Sequence, residues 1–246
     1  MNTVQREFVS LTSATSARNG AGFMPCQGLY HKPAGAAPKV AFIATHYNVD
    51  FSEHYLGEYM AARGYGYLGW NTRFRGNEAF FLLEHALIDI GAGVTWLREQ
   101  AGVETVVLVG NSGGGSLMGA YQSQASEPNL TATRGLKLPP TVNELPACDY
   151  YVSLNAHAGR PEVLTAWMDP AVTDEQAPTS TDWDLSMFNP DNGPPYSAAF
   201  LERYRAAQKA RNDRITDWCI KELERLKADG YFDRAFNLFR TWADPR

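Results

Sequence analysis

Along residues 1–154, short apolar runs alternate with helical stripes. Residues 39–45, Lys-Val-Ala-Phe-Ile-Ala-Thr, are nearly continuous in apolar side chains, the pattern of a strand covered on both faces. Residues 65–70, 105–109 and 149–154 predict further strands. Residues 7–12 alternate weakly and predict an edge strand, and residues 29–33 predict the end of a second. Helical spacing lies between these runs. Tyr55, Leu56, Tyr59 and Met60 share one face, and Gly64 stands where such a helix would stop. Leu87, Ile90, Val94 and Leu97 form the stripe of a helix over 84–100. Residues 117–124 predict another. Strand and helix in alternation predict an α/β fold with a doubly wound, mostly parallel sheet.

The pattern changes after Leu154. Residues 170–195 are rich in Asp, Thr, Pro and Asn and read as loop. Residues 197–229 carry Leu201, Tyr204, Ile215, Trp218, Leu223 and Leu226 among many charges, and Gly230 follows where a helix would be capped. Residues 231–242 are short and aromatic. The expected organisation is a core over 1–160 and a helical cap or excursion over 161–246, with little strand between 161 and 229. Aromatics in the cap region, including Trp167, Trp183, Phe188, Tyr196 and Tyr204, fit either an apolar pocket or ordinary packing.

Chemistry enters at Gly110-Asn111-Ser112-Gly113-Gly114. This pentapeptide follows the apolar run 105–109 and precedes a segment able to begin a helix. Gly-x-Ser-x-Gly between strand and helix is the context in which a serine sits on a tight, strained turn with its hydroxyl presented above a sheet. A chain with 21 glycines can produce the pattern by chance, so its weight comes from placement. A serine hydroxyl needs a base to take its proton. An attacked carbonyl needs donors for its developing negative charge.

Composition narrows the classes. A chain of 246 residues can bury one substantial core. The formal net charge of −5 gives no reason to expect nucleic acid or an acidic membrane surface as partner. From Ser197 onward 11 Lys/Arg face 8 Asp/Glu, which a solvated helical face explains. Cys26, Cys148 and Cys219 are far apart and show neither a disulfide framework nor metal spacing. The N-terminus lacks the apolar stretch of a signal peptide, and no run has the length to span a bilayer. The expectation is a cytoplasmic, reduced protein.

Residues 39–154 resemble the α/β-hydrolase superfamily. In that family an apolar strand ends in His-Gly, an oxyanion loop follows, and the next helix ends near an Arg-Gly-Tyr-like segment. Here His46-Tyr47 and Arg63-Gly64-Tyr65 hold those places, and Asn71-Thr72-Arg73-Phe74-Arg75-Gly76-Asn77 stands where the family has Asp-x-Arg-Gly-x-Gly. The pentapeptide around Ser112 matches without departure. The resemblance implies that Ser112 is the nucleophile and that the N–H of Gly113 is one oxyanion donor. It also implies a second donor from the loop at 45–55. Tyr47 replaces the family glycine, so that donor is the N–H of Tyr47 or of Asn48. It assigns His46 to shaping the loop, and a structural ion pair fits Arg73 and Arg75 better than a substrate clamp.

In this fold the nucleophile is followed in sequence by an acid and then a histidine. No histidine follows His157, and four of the five precede Ser112. Three readings stay open: a chain that stops before the segment carrying acid and base, a member that binds without catalysing, or His157 as an unorthodox base. A dinucleotide-binding reading is weak, because Gly113-Gly114-Gly115 lacks a Gly-x-Gly-x-x-Gly after the first strand. The function expected is a serine hydrolase cleaving a carboxylic ester or related acyl substrate through an acyl-enzyme on Ser112, incomplete as this chain and without metal or organic cofactor. The competing class is a non-catalytic binding protein of the same fold.

Overall fold

A computed structural model describes residues 2–15, 25–133, 135–177, 179–231 and 234–245. Residue 178 of the expected loop and residues 232 and 233 of the expected aromatic segment lie outside these. The chain divides into two compact units, Met1–Gly159 and Arg160–Arg246.

The first unit is built on six strands: β1 (Val4–Leu11), β2 (Cys26–Pro33), β3 (Val40–Ala44), β4 (Gly66–Asn71), β5 (Thr105–Asn111) and β6 (Tyr150–Leu154). Their order across the sheet is β1-β2-β4-β3-β5-β6. The β3–β4, β3–β5 and β5–β6 pairs are parallel, and β1–β2 and β2–β4 are antiparallel. The sheet is therefore mixed and mostly parallel. Three helices connect the strands: α1 (Leu56–Ala61), α2 (Leu83–Glu99) and α3 (Gly113–Ser126).

Strand alternation divides the apolar residues between two faces. Ala41, Ile43, Leu68, Trp70, Val106 and Leu108 pack with Leu87, Ile90, Val94 and Leu97 of α2 and with Leu117, Met118 and Tyr121 of α3. Phe42, Ala44, Tyr67 and Val109 pack on the other face with Leu56 and Met60 of α1. Helices on both faces make the sheet doubly wound, and they explain why β3 and β5 read as continuous apolar runs.

Element ends differ from the sequence reading for identifiable reasons. β1 starts at Val4 because its antiparallel register runs from Val4 opposite Pro33 to Leu11 opposite Cys26. β5 continues through Gly110 and Asn111, which pair with Ser153 and Leu154. α1 ends where expected: Gly64 takes φ 98°, and the Tyr65 N–H donates to Met60 O at 3.2 Å, closing the last turn in the way a left-handed residue permits. β6 is an edge strand on which Tyr150, Tyr151 and Val152 are 66, 41 and 44% exposed.

The second unit holds α4 (Arg160–Trp167) and α5 (Ala198–Ala228). Among the described residues its only β pairing is the isolated bridge Val172–Thr181. α5 runs for 31 residues. The Ser197 side chain accepts from the Phe200 N–H at its start, Arg225 and Lys227 lie in its last turn, and Gly230 follows at φ 81°. Those are the cap, charge and stop that a helix of this polarity favours. Arg211, a residue of this helix, is fully buried and grips both carboxylate oxygens of Glu175 at 2.7 Å.

Candidate functional site

Ser112 stands between the end of β5 and the start of α3 with φ 54° and ψ −126°. A non-glycine residue with positive φ is uncommon and strained. The surrounding glycines explain how the turn is reached. A Cβ on Gly114 would overlap the Thr45 carbonyl oxygen, and one on Gly115 would overlap the Ala156 side chain. One on Gly110 would lie 2.7 Å from the Gly115 Cα. The chain thus passes so close to itself and to the β3 and β6 ends that side chains are excluded. For this reason α3 begins at Gly113, with three glycines in its first turn, four residues before the expected start.

The Ser112 side chain is exposed, and no described residue is hydrogen-bonded to its hydroxyl. Its backbone is held instead. The Ser112 N–H donates to Leu154 O of β6 at 3.2 Å, and Ser112 O accepts from the Gly115 N–H at 3.0 Å.

The loop after β3 reaches the same turn. The His46 ring is buried, with its Nε2 3.2 Å from the Gly113 nitrogen. Its Nδ1 lies 3.1 Å from the Asn48 nitrogen and 3.2 Å from the Val49 nitrogen. The amides of Gly113 and Asn48, both assigned to an oxyanion site from sequence, thus converge on one imidazole. A neutral imidazole accepts at only one of its nitrogens. Accepting at Nδ1 satisfies two amides and releases the Gly113 N–H to another acceptor. The Tyr47 ring lies 4.4 Å from that of His46, centroid to centroid, and walls the Gly113 side of the turn.

His157 follows β6 by three residues. Its ring centroid is 6.4 Å from that of Tyr47, and its Nδ1 is buried without a hydrogen-bond partner among the described residues. Arg73 is buried in an ion pair with Asp89, through Nη2 to Oδ1 at 2.6 Å and Nε to Oδ2 at 2.9 Å. The Asp89 carboxylate also accepts from the Arg73 backbone N–H. Arg75 pairs with Glu78 at 2.9 Å. Both arginines therefore serve the frame around the β4 end.

One group that sequence reading gives no role stands out. His54 is buried beside the Ser112 turn, with Nε2 3.1 Å from Asn111 Oδ1 and Nδ1 2.7 Å from the Tyr67 hydroxyl. Burial lowers its pKa, against a smaller opposing effect of the Asn111 hydrogen bond. No local signal marks it, because its partners are 13 and 57 positions away in sequence.

The aromatics of the second unit that fit either a pocket or ordinary packing take different environments. Trp183 and Phe188 are exposed at 61 and 68%, Tyr204 is buried, and Trp167 stacks on Trp242. A cavity of about 590 Å³ within that unit is lined instead by Ile215, Trp218, Phe236 and Leu238, with Arg214 and Arg234.

No family model and no curated protein matches the chain. Its structural neighbours are α/β-hydrolases, at low identity over about half of the chain. Brefeldin A esterase, described as a bacterial homologue of human hormone-sensitive lipase, is 18% identical over 51% of this chain and 36% of its own, with a TM-score of 0.41. A cold-adapted esterase from an Arctic intertidal metagenomic library is 17% identical over 50% of this chain and 56% of its own, with a TM-score of 0.38. A dienelactone hydrolase from Anabaena variabilis is 16% identical over 66% of this chain and 67% of its own, with a TM-score of 0.41. The chain spans less than two thirds of the length of the two esterases.

Proposed function

We propose that this chain carries the nucleophile of a serine hydrolase that cleaves a carboxylic ester or related acyl substrate. The observation that carries the reading is the strained, exposed Ser112 at the strand–helix turn. A structure that only needed a tight turn there would place glycine at that position. In the proposed reaction Ser112 Oγ adds to the acyl carbon, and its proton passes to a base. The tetrahedral intermediate places its negative charge at the Gly113 N–H, with the Tyr47 N–H as the second backbone donor, because the Asn48 N–H is given to His46 Nδ1. Collapse expels the alcohol with a proton, leaving an acyl-serine. Water then attacks the ester carbon and releases the acid and free Ser112.

The non-catalytic binding reading draws support from two observations. No described residue accepts a hydrogen bond from the Ser112 hydroxyl. The ring of His46 also occupies the space in front of the Gly113 N–H. One experiment decides between them. Intact mass after exposure to a fluorophosphonate should show a single adduct, absent from Ser112→Ala. Absence of an adduct on the folded wild-type chain would refute the hydrolase reading for this chain. Loss of labelling in His157→Ala, with the fold intact, would identify His157 as the base.

A further inference from the structure

Four groups from four parts of the chain are joined end to end beneath Ser112. The Tyr67 hydroxyl of β4 meets His54 Nδ1 at 2.7 Å, and His54 Nε2 meets Asn111 Oδ1 at 3.1 Å. Asn111 Nδ2 donates to Leu154 O of β6 at 2.8 Å. Leu154 O also accepts the Ser112 N–H at 3.2 Å. The direction of every bond follows from the last one. A carbonyl oxygen only accepts, so the amide nitrogen of Asn111 must face Leu154 and its oxygen must face His54. His54 Nε2 therefore carries the proton. Nδ1 is then bare, as it must be to accept the Leu56 N–H at 3.3 Å and the Tyr67 hydroxyl. A neutral imidazole alone among the side chains places one donor and one acceptor at opposite ends of a rigid ring. The ring is held flat between neighbours, stacked on Tyr55 at 4.3 Å and on Tyr67 at 5.5 Å.

Asn111 is the residue that enters the strained turn, and its side chain shares an acceptor with the nucleophile's own N–H. We infer that His54 is a positioning residue for Ser112: through Asn111 it fixes the peptide leading into the turn, and so the direction in which the hydroxyl is presented. This rests on the reading of Ser112 as nucleophile. Strained residues persist only where the surroundings over-determine them, and this chain of hydrogen bonds ties the β5 end to β6 on one side and, through His54 of the loop after β3, to β4.

The test compares variants with the wild-type chain. His54→Phe keeps an aromatic ring and removes all three hydrogen bonds of the imidazole. His54→Gln keeps a donor within reach of Asn111. The second-order rate of Ser112 phosphonylation should fall about tenfold or more in His54→Phe, the rate equivalent of one or two lost hydrogen bonds. It should recover to within about threefold of wild type in His54→Gln, and Asn111→Ala combined with His54→Phe should be no slower than the worse single variant. A His54→Phe chain that is folded yet labels at the wild-type rate would overturn the inference. So would nitrogen NMR showing His54 protonated at Nδ1 in the wild-type chain, a readout that stands even where a variant fails to fold. If the wild-type chain does not label at all, the hydrolase reading fails first. Hydrogen exchange at the Ser112 amide then decides the positioning separately: faster exchange in His54→Phe or, where that variant does not fold, in Asn111→Ala supports it, and unchanged exchange refutes it.

Discussion

Replacing the proposed nucleophile with glycine should make the protein more stable than replacing it with alanine. Ser112 sits at φ 54° and ψ −126°, where a Cβ is crowded. Holding a non-glycine residue in such a region costs about 1–3 kcal/mol. Alanine keeps that strain and glycine removes it. Glycine loses about 0.5–1 kcal/mol more conformational entropy on folding. The hydroxyl itself contributes little, being exposed and without a described partner. The net expectation is that Ser112→Gly exceeds Ser112→Ala by roughly 0.5–2 kcal/mol. In a chain of this size each kcal/mol moves the thermal midpoint by about 2–4 °C. Urea and thermal unfolding of the two variants beside wild type measure the difference. Wild type should resemble Ser112→Ala, and both variants should lose fluorophosphonate labelling. A glycine variant equal to or less stable than the alanine variant would refute the argument that the turn is strained for the sake of the serine.

Two further outcomes follow from buried charge. Asp89→Ala leaves Arg73 without its carboxylate in a site where the two side chains are 7 and 0% exposed; the loss should be about 3–5 kcal/mol by urea unfolding, and a loss below about 1 kcal/mol would show the pair to be dispensable. Burial lowers the pKa of His31, His54 and His85, so the unfolded chain takes up protons at these positions before the folded one does. Their contribution is complete above the ordinary histidine range near about 6.5 and is lost as pH falls through it toward the lower folded values. Thermal midpoints should therefore drop between about pH 7.5 and pH 5, with a smaller drop in His54→Phe; a midpoint that rises on acidification contradicts the sign.

Much of the first unit is legible in the sequence because its strands are covered on both faces, so that residues 39–45 and 105–109 signal burial without any partner being known. The turn at Ser112 is legible for a different reason: glycine spacing records a steric requirement directly. What escapes is whatever depends on distant pairing. The register of β1 against β2 decides where β1 begins, and nothing in Val4-Gln5-Arg6 announces it. His54 reads as one histidine among five, since Tyr67 and Asn111 become its partners, and Leu154 the partner of Asn111, only when the sheet sets β4 and β5 on either side of β3 and β6 beside β5. The second unit misleads differently. Aromatic residues there are equally compatible with a pocket or with packing, and the cavity is lined by Trp218 of the helical pattern and Phe236 of the short aromatic segment, whose meeting no local spacing records.

The crowding around the turn also sets how this gene can drift. Every amino-acid change away from glycine adds at least a Cβ. At Gly110, Gly114 and Gly115 that atom lands on neighbouring chain, so the permitted alphabet at these codons shrinks to one letter whatever the selection on chemistry. Six positions beyond Gly113 the picture reverses: a Cβ at Gly119 meets nothing within 4 Å, and alanine there would favour the helix by about 1 kcal/mol. A lineage that had discarded the reaction would still keep the three crowded glycines for as long as it kept the turn. Persistence of serine at position 112, where glycine is sterically the easier residue, is the trace that would separate a working descendant from a retired one.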